Sequence, residues 1–167
     1  DAMAKLNPVF TEGGSVTAAT SSPLTDGAVA MIVCSEEFAS QRSLKVMARI
    51  VSGAVSGCPP GIMGIGPVEA TRKVLERTGW EVETVELFEL NEAFSSQSIA
   101  VISELGLDRT KINIDGGALA IGHPLGASGA RIVGKAATLL QRTKSNRAIA
   151  TMCIGGGMGI AIALESP

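Results

Sequence analysis

Runs of apolar residues alternate along the chain with segments that have helical spacing. Residues 28–33 form a continuous apolar run, which is typical of a strand buried on both faces. Residues 46–55 and 85–90 predict two further strands, and the last two are predicted at 148–153 and 159–164. Strands that alternate with helices indicate an α/β fold. We therefore predict an α/β/α layered domain with a five-stranded mixed sheet.

Three helices are predicted between these strands. Pro67 fits the first turn of one helix, and Gly79 fits its C-terminal cap. Asn91 is a natural N-cap for the next helix, which Gly106 would end. The third helix covers 128–142, where apolar side chains share one face and charged side chains the other.

Length, charge and cysteine content narrow the possibilities. The chain has 167 residues and a net charge of −2, which suits one domain without a basic surface for nucleic acid. No apolar stretch is long enough to span a bilayer, and no leader segment opens the chain. Three cysteines without paired spacing indicate a reducing compartment, and we expect the cytoplasm. Because the chain begins Asp-Ala-Met, we expect a piece of a longer protein.

The first segment with candidate chemistry is Asn-Glu-Ala-Phe at 91–94, at a predicted strand-to-helix junction. An amide there could hold a water or a carbonyl group at the positive end of a helix. A simple N-cap would also explain Asn91, so the segment is not specific by itself.

The second segment, at 122–129, reads Gly-His-Pro-Leu-Gly-Ala-Ser-Gly. His123 is the only histidine of the chain, so any imidazole base has to be this one. The Gly/Ser run opens a helix and could cradle an anionic or thioester group. A purely structural histidine remains the alternative.

The third segment, at 153–157, reads Cys-Ile-Gly-Gly-Gly. A cysteine at a strand end, followed by glycines, lets backbone N–H groups approach a ligand closely. A small buried residue before a hairpin turn is the alternative interpretation of Cys153.

Together, in this order and spacing, the three segments resemble the C-terminal signature blocks of thiolases. The resemblance extends to Ser-Val-Thr-Ala at 15–18 and Met-Gly-Ile-Gly-Pro at 63–67, and it covers nearly the whole chain. In that family two similar halves pack together, and a loop region covers coenzyme A. Residues 1–25 would be the tail of that loop region, and residues 26–167 would be the C-terminal domain.

The resemblance implies roles for individual residues. His123 would activate the nucleophilic cysteine and help to hold a thioester oxygen, and Asn91 would anchor a water in the same oxyanion site. Cys153 would be the general acid and base at the acetyl α-carbon, and the Gly155 N–H would serve a second oxyanion site. The residues expected to line the coenzyme A and acyl channel are Ser22, Met63 and Phe94.

The resemblance also places the nucleophilic cysteine in the first half, outside this chain. Cys34 is predicted inside a buried strand, where a thiol is inert, and Cys58 in a loop without the context of the nucleophile. The full-length protein would be an acyl-CoA C-acyltransferase that works through an acyl-cysteine. Acyl-CoA and coenzyme A would be its substrates, with no metal or redox cofactor. We expect a homo-oligomer whose isolated C-terminal piece is inactive.

Two other functions stay open. A decarboxylating condensing enzyme of the same superfamily usually presents a His/His or His/Asn pair, whereas this chain has one histidine and a second cysteine. A non-catalytic acyl-CoA-binding or assembly subunit is the alternative from another class. The Ser22-Pro23 pair departs from the Ser-Gly of many short-chain thiolases, so the preferred acyl-chain length is not predicted.

Overall fold

A computed structural model describes residues 2–167, and it contains one mixed four-stranded sheet. The order is β1-β4-β3-β2, with β2 parallel to β3 and the other neighbouring pairs antiparallel. The mixed sheet is confirmed, but the prediction of five strands is wrong. The strands are β1 (Arg49–Gly57), β2 (Leu87–Leu90), β3 (Arg147–Ile154) and β4 (Met158–Glu165).

The missing strand is the one predicted at 28–33. These residues form neither helix nor strand and pair with no strand in the described part of the chain, and Ile32 is 86% exposed. Cys34, predicted to be buried beside them, is exposed as well. An apolar run indicates that a segment is to be buried, but it does not indicate against which surface. Beyond the four strands, the free edge of β2 forms one isolated parallel bridge, between Phe88 and Ile112.

Asn91 does not cap a helix, contrary to the prediction. Its backbone N–H donates to the carbonyl oxygen of Thr151 at 3.0 Å, so the chain is still paired with β3 at this point. The helix begins at Ser95 after an extended Phe94, and Gly106 ends it as predicted. The helices are α1 (Glu36–Gln41), α2 (Gly66–Thr78), α3 (Ser95–Leu105), α4 (Ala118–Ile121) and α5 (Leu125–Thr143).

Helices α2 and α5 cover opposite faces of the sheet. Phe88 and Ile149 pack in the cluster that contains α2, whereas the adjacent Leu87 and Ala148 pack in the cluster that contains α5. This alternation follows from the two-residue period of a strand, and it confirms the α/β/α layers. Within residues 2–167, no helix combines the length and the apolar character that a membrane crossing requires.

Candidate functional site

The three sequence segments lie at one edge of the sheet. Asn91 directly follows β2, and Cys153 is the last residue but one of β3. Because β2 and β3 are parallel, their carboxyl ends share an edge, where ligands of α/β sheets commonly bind. His123 lies two residues before α5 and contacts Asn91 at this edge.

The orientation of the Asn91 amide is fixed by its two neighbours. Asn91 is fully buried, and its Oδ1 atom is 3.4 Å from Nη2 of Arg131. Because a guanidinium can only donate hydrogen bonds, the amide oxygen has to face Arg131. The amide nitrogen then faces Nε2 of His123, at 3.3 Å, and donates to it. The Nε2 atom of His123 is therefore the unprotonated ring nitrogen.

The other ring nitrogen agrees with this tautomer. His123 Nδ1 is 2.6 Å from Ser128 Oγ, and that hydroxyl donates to the carbonyl oxygen of Pro124 at 3.1 Å. Ser128 has used its proton, so it accepts one from Nδ1. Burial, and then the charge of Arg131, lower the pKa of His123 below its ordinary value. The ring is therefore neutral at pH 7, with a lone pair on Nε2 available to accept a proton.

Ser22 and its neighbour tie the two site loops together. The backbone N–H and the hydroxyl of Ser22 both donate to the carbonyl oxygen of Ala93, at 3.0 and 3.2 Å. The next residue, Pro23, accepts from the backbone N–H of His123 at 2.9 Å. The N-terminal segment therefore holds the Asn91 loop and the His123 loop in register.

Packing adds to these hydrogen bonds. The ring of Phe94 meets the ring of Phe10 edge-to-face, with centroids 6.3 Å apart, and Phe94 bridges to Ser21. Gly122, with φ of 93°, lies so close to Thr25 that a Cβ atom would collide with the threonine side chain. A glycine is required there, and the predicted contact residues Ser22 and Phe94 both lie at the site.

Asn113 supports the backbone under Asn91. Its side chain accepts from the N–H of Leu90 at 2.9 Å and donates to the carbonyl of Leu90 at 2.8 Å. It also donates to Glu92 at 2.8 Å, and the second oxygen of Glu92 accepts from the N–H of Leu119 at 3.0 Å. Asn113, Ser128 and Arg131 were not predicted from the sequence to belong to the site. The available signals were the glycines that follow Asn113, which indicate a turn, and the place of Ser128 in the second segment.

Cys153 is buried, like Asn91, whereas His123 is only partly buried. Cys153 is 6% exposed, and its pKa is raised, first by burial and less by the nearby Cys58. The backbone N–H of Cys58 donates to the carbonyl of Gly157 at 2.8 Å, which brings Cys58 beside the turn that follows Cys153. Cys58 is thus nearer the site than its sequence context indicated. The roles given to His123 and Cys153 predict that the His123 ring and the Cys153 sulfur lie within about 4–6 Å of each other. Within residues 2–167 no hydrogen bond joins the two side chains, and their close approach stays a prediction.

Gly155 and Met63 lie on the Cys153 side. Gly155 is in the turn between β3 and β4, with open space where a Cβ would be. Gly157 has φ of 92° in the same turn. The carbonyl of Met63 accepts a weak hydrogen bond from the Cys58 thiol, at 3.8 Å. Neither Gly155 nor Met63 contacts the Asn91–His123 pair through a described hydrogen bond.

The site contains acid-base groups rather than a metal-ligand cluster. In the part of the chain that the structure describes, no three His, Cys, Asp or Glu side chains lie together as metal ligands would. A neutral imidazole, a carboxamide and a buried thiol can exchange protons and donate hydrogen bonds to a substrate.

Residues 44–166 match the C-terminal domain of the thiolase family, and residues 1–37 match the N-terminal domain of that family. The segment 28–33, which is exposed here, falls in the N-terminal match. The domain boundary predicted between residues 25 and 26 stays a prediction.

Individual relatives agree with the family match. The chain is 49% identical over 167 residues to the acetyl-CoA acetyltransferase of Chromobacterium violaceum, and it covers 43% of that protein. It is 48% identical over 167 residues, 99% of its length, to the cytosolic acetyl-CoA acetyltransferase of Mus musculus, and it covers 42% of that protein. Human mitochondrial 3-ketoacyl-CoA thiolase, in complex with CoA, has a TM-score of 0.97 at 45% identity, over 99% of this chain and 42% of that one. The chain therefore spans less than half the length of these relatives.

Proposed function

This chain belongs to the thiolase family, and we propose that it supplies the C-terminal half of the active site of an acyl-CoA C-acyltransferase. The reaction is the reversible Claisen condensation or thiolytic cleavage that relates acetyl-CoA to 3-ketoacyl-CoA. The observation that carries the proposal is the Asn91–His123 pair, whose unprotonated Nε2 atom lies at the carboxyl edge of the sheet.

In the cleavage direction His123 removes the proton of a nucleophilic cysteine that the other half supplies. The thiolate adds to the ketone carbon of 3-ketoacyl-CoA, and the bond between that carbon and the α-carbon then breaks. The electron pair passes to the α-carbon and its thioester oxygen as an enolate, which Cys153 protonates to give acetyl-CoA. The thiol of coenzyme A then gives its proton to the Cys153 thiolate and takes the acyl group from the nucleophilic cysteine, whose released thiolate recovers its proton from His123.

Asn91 and Gly155 donate hydrogen bonds where negative charge develops. Asn91, through a water, and protonated His123 stabilise the thioester oxygen as the enolate forms, and the N–H of Gly155 serves the oxyanion that forms when the thiolate adds to the ketone carbon. One such donor contributes about 10²–10³ to kcat in other acyl-transfer enzymes. The raised pKa of Cys153 keeps its thiol protonated, which suits its role as the acid of cleavage.

The full-length protein needs a partner surface for residues 28–33. Their exposed apolar side chains support packing of the N-terminal thiolase half against this segment. Ser22 and Phe94 then line the coenzyme A channel and Met63 the acyl pocket. We place this enzyme in the cytoplasm as a homo-oligomer of fatty acid metabolism, a location that the three free thiols support.

The test is complementation. The chain alone, mixed with acetoacetyl-CoA and coenzyme A, shows no thiolysis, whereas the chain joined to the N-terminal half of the Chromobacterium violaceum relative does. His123→Ala and Cys153→Ser in the joined protein abolish turnover, while Arg72→Met, an exposed site on α2, leaves it unchanged. A joined protein that is folded but inactive would favour the assembly or binding subunit, and tight acyl-CoA binding by the chain alone would favour it further.

A further inference from the structure

Arg131 and Glu89 lie behind the Asn91–His123 pair and have no part in the reaction above. Arg131 is in the second turn of α5 and contacts the Asn91 amide oxygen. Glu89 is in β2, two residues before Asn91, and is only 1% exposed. Leu87 packs in the α5 cluster, and alternate residues of a strand share a face, so Glu89 also faces α5.

Both side chains retain a buried polar atom without a hydrogen-bond partner among residues 2–167. The atom is Oε1 in Glu89, an acceptor, and Nε in Arg131, a donor. Lys135, one turn after Arg131, brings a second positive charge to Glu89, while Asp115 and Glu92 bring negative charge. A buried carboxyl without a partner is costly to keep, which is why such a group commonly has a functional role.

We propose that Arg131 is the positioning residue of this site, which fixes the direction of the Asn91 amide and thereby the tautomer of His123, and that Glu89 is the buried acid that balances its charge. The inference rests on the proposed thiolase function only for its catalytic consequence. The positioning itself follows from the contacts.

The shape of the Asn91 amide does not fix its orientation. The two ends of a carboxamide are nearly equal in size, so packing alone does not choose between them. With Arg131 present, the oxygen faces the guanidinium and the nitrogen faces His123. Turned the other way, the oxygen would require a proton on Nε2, and the histidine could no longer act as the base.

Glu89 makes this effect depend on pH. Burial raises the pKa of Glu89 to about 7, although Arg131 and Lys135 oppose the shift. Below that pH the carboxyl is neutral, and the charge of Arg131 acts on His123 without compensation. Above it the carboxylate offsets that charge, so the field on the imidazole weakens as the pH rises.

The test is ¹⁵N NMR of the histidine ring in the full chain, which is direct because His123 is the only histidine. The wild-type ring has a single tautomer with the proton on Nδ1, and its shifts show a second inflection near pH 7. Arg131→Met gives a mixture of tautomers and raises the pKa of His123. Arg131→Lys keeps a single tautomer and a low pKa of His123, because an ammonium group is also a cation that only donates hydrogen bonds. Arg72→Met, on α2, is the control and changes neither.

Glu89→Gln removes only the second inflection, because the glutamine stays neutral at every pH. The proposal is overturned by a wild-type ring protonated on Nε2, by an unchanged tautomer in Arg131→Met, or by an inflection that persists in Glu89→Gln. Should Arg131→Met fail to fold, Arg131→Gln decides the orientation, because its amide can accept as well as donate. An inactive joined enzyme with these ring signals intact would overturn the thiolase function and not the positioning role.

Discussion

The Nδ1 atom of His123 and the hydroxyl of Ser128 are 2.6 Å apart, across the first turn of α5. This short contact is the only described acceptor for the ring N–H within residues 2–167, and the hydroxyl is itself held by the carbonyl of Pro124. The start of α5 thus contains both the Gly/Ser run and Ser128, the hydrogen-bond partner of His123. The fold itself therefore favours one tautomer of His123.

Replacement of Ser128 by Ala therefore lowers kcat of the joined enzyme by about five- to twelvefold, since a hydrogen bond of this kind contributes about 1–1.5 kcal/mol. The N–H at Nδ1 of the ring loses its acceptor, while substrate contacts stay in place, so KM changes little. Steady-state thiolysis measures both constants. Ser103→Ala, at an exposed position of α3, is the matched control. An unchanged kcat for Ser128→Ala would contradict this role.

The free energy of unfolding depends on pH through Glu89. Its pKa is about 7 in the folded chain against 4.5 in the ordinary state, so the unfolded chain gives up this proton more easily. A raised folded pKa means that stability is fully present below about pH 4.5 and is lost as the pH rises through about 7. Glu89→Gln avoids that loss. We expect its stability relative to wild type to be about 2–3 kcal/mol higher at pH 8 than at pH 4.5, by urea unfolding.

The matched control for that comparison is Glu76→Gln, because Glu76 is exposed. Its stability relative to wild type is the same at both pH values. A Glu89→Gln variant that tracks wild type from pH 4.5 to 8 would show that the carboxyl is ionised in the fold without cost.

Asn113 has a left-handed backbone, with φ of 45°, as well as its hydrogen bonds to Leu90 and Glu92. Asn113→Ala loses the bonds and strains the backbone, and it destabilises the chain by about 2–4 kcal/mol. Asn113→Gly loses the bonds without the strain, so it costs less. Asn113→Asp keeps the acceptor for the Leu90 N–H but turns a negative charge towards Glu92, which limits its rescue. Thermal unfolding of the three variants gives the order, and an alanine that equals glycine would remove the strain argument.

Gly122 and Gly126 form a matched pair of glycines on either side of the α5 start. Gly122→Ala meets Thr25 and a φ of 93°, so it displaces the His123 loop and costs at least about 2 kcal/mol. Gly126→Ala has open space around the new methyl group and is helical, so it is neutral or stabilises the chain by up to about 1 kcal/mol. Thermal unfolding followed by circular dichroism gives the melting temperatures of the two variants. Equal melting temperatures would show that the loop adapts to a side chain.

The sequence predicted the elements that are stabilised within the chain itself. The helix from Pro67 and the two final strands were found because their partners, the sheet and each other, lie within residues 2–167. Residues 28–33 were wrongly predicted as a strand of this sheet, because an apolar pattern indicates burial without indicating the partner surface. Asn91 was taken for a helix cap because an asparagine after a strand has the same local signal, whether or not the pairing continues.

The sequence predicted which residues form the site, but it did not predict the contacts between them. The three motifs identified Asn91, His123 and Cys153, but Asn91 and His123 are 32 residues apart, and only the parallel pairing of β2 with β3 brings their loops together. Arg131 carries no local signal for its role, and the glycines after Asn113 indicate only a turn. Arg131 and Asn113 act through backbone geometry and charge that a single sequence does not display.

The hydrogen bonds from Arg131 to Pro124 all run in one direction, from a group that only donates to one that only accepts. A proton that arrives on Nε2 of His123 therefore meets the N–H side of the Asn91 amide, and the amide cannot turn to accept it without directing its own N–H groups at a cation. In this orientation the Asn91 amide cannot accept the new proton of the imidazolium. In the proposed reaction this proton therefore leaves outward, to the negative charge that develops beside the ring, so the arrangement that lets His123 act as a base also lets it act as an acid one step later.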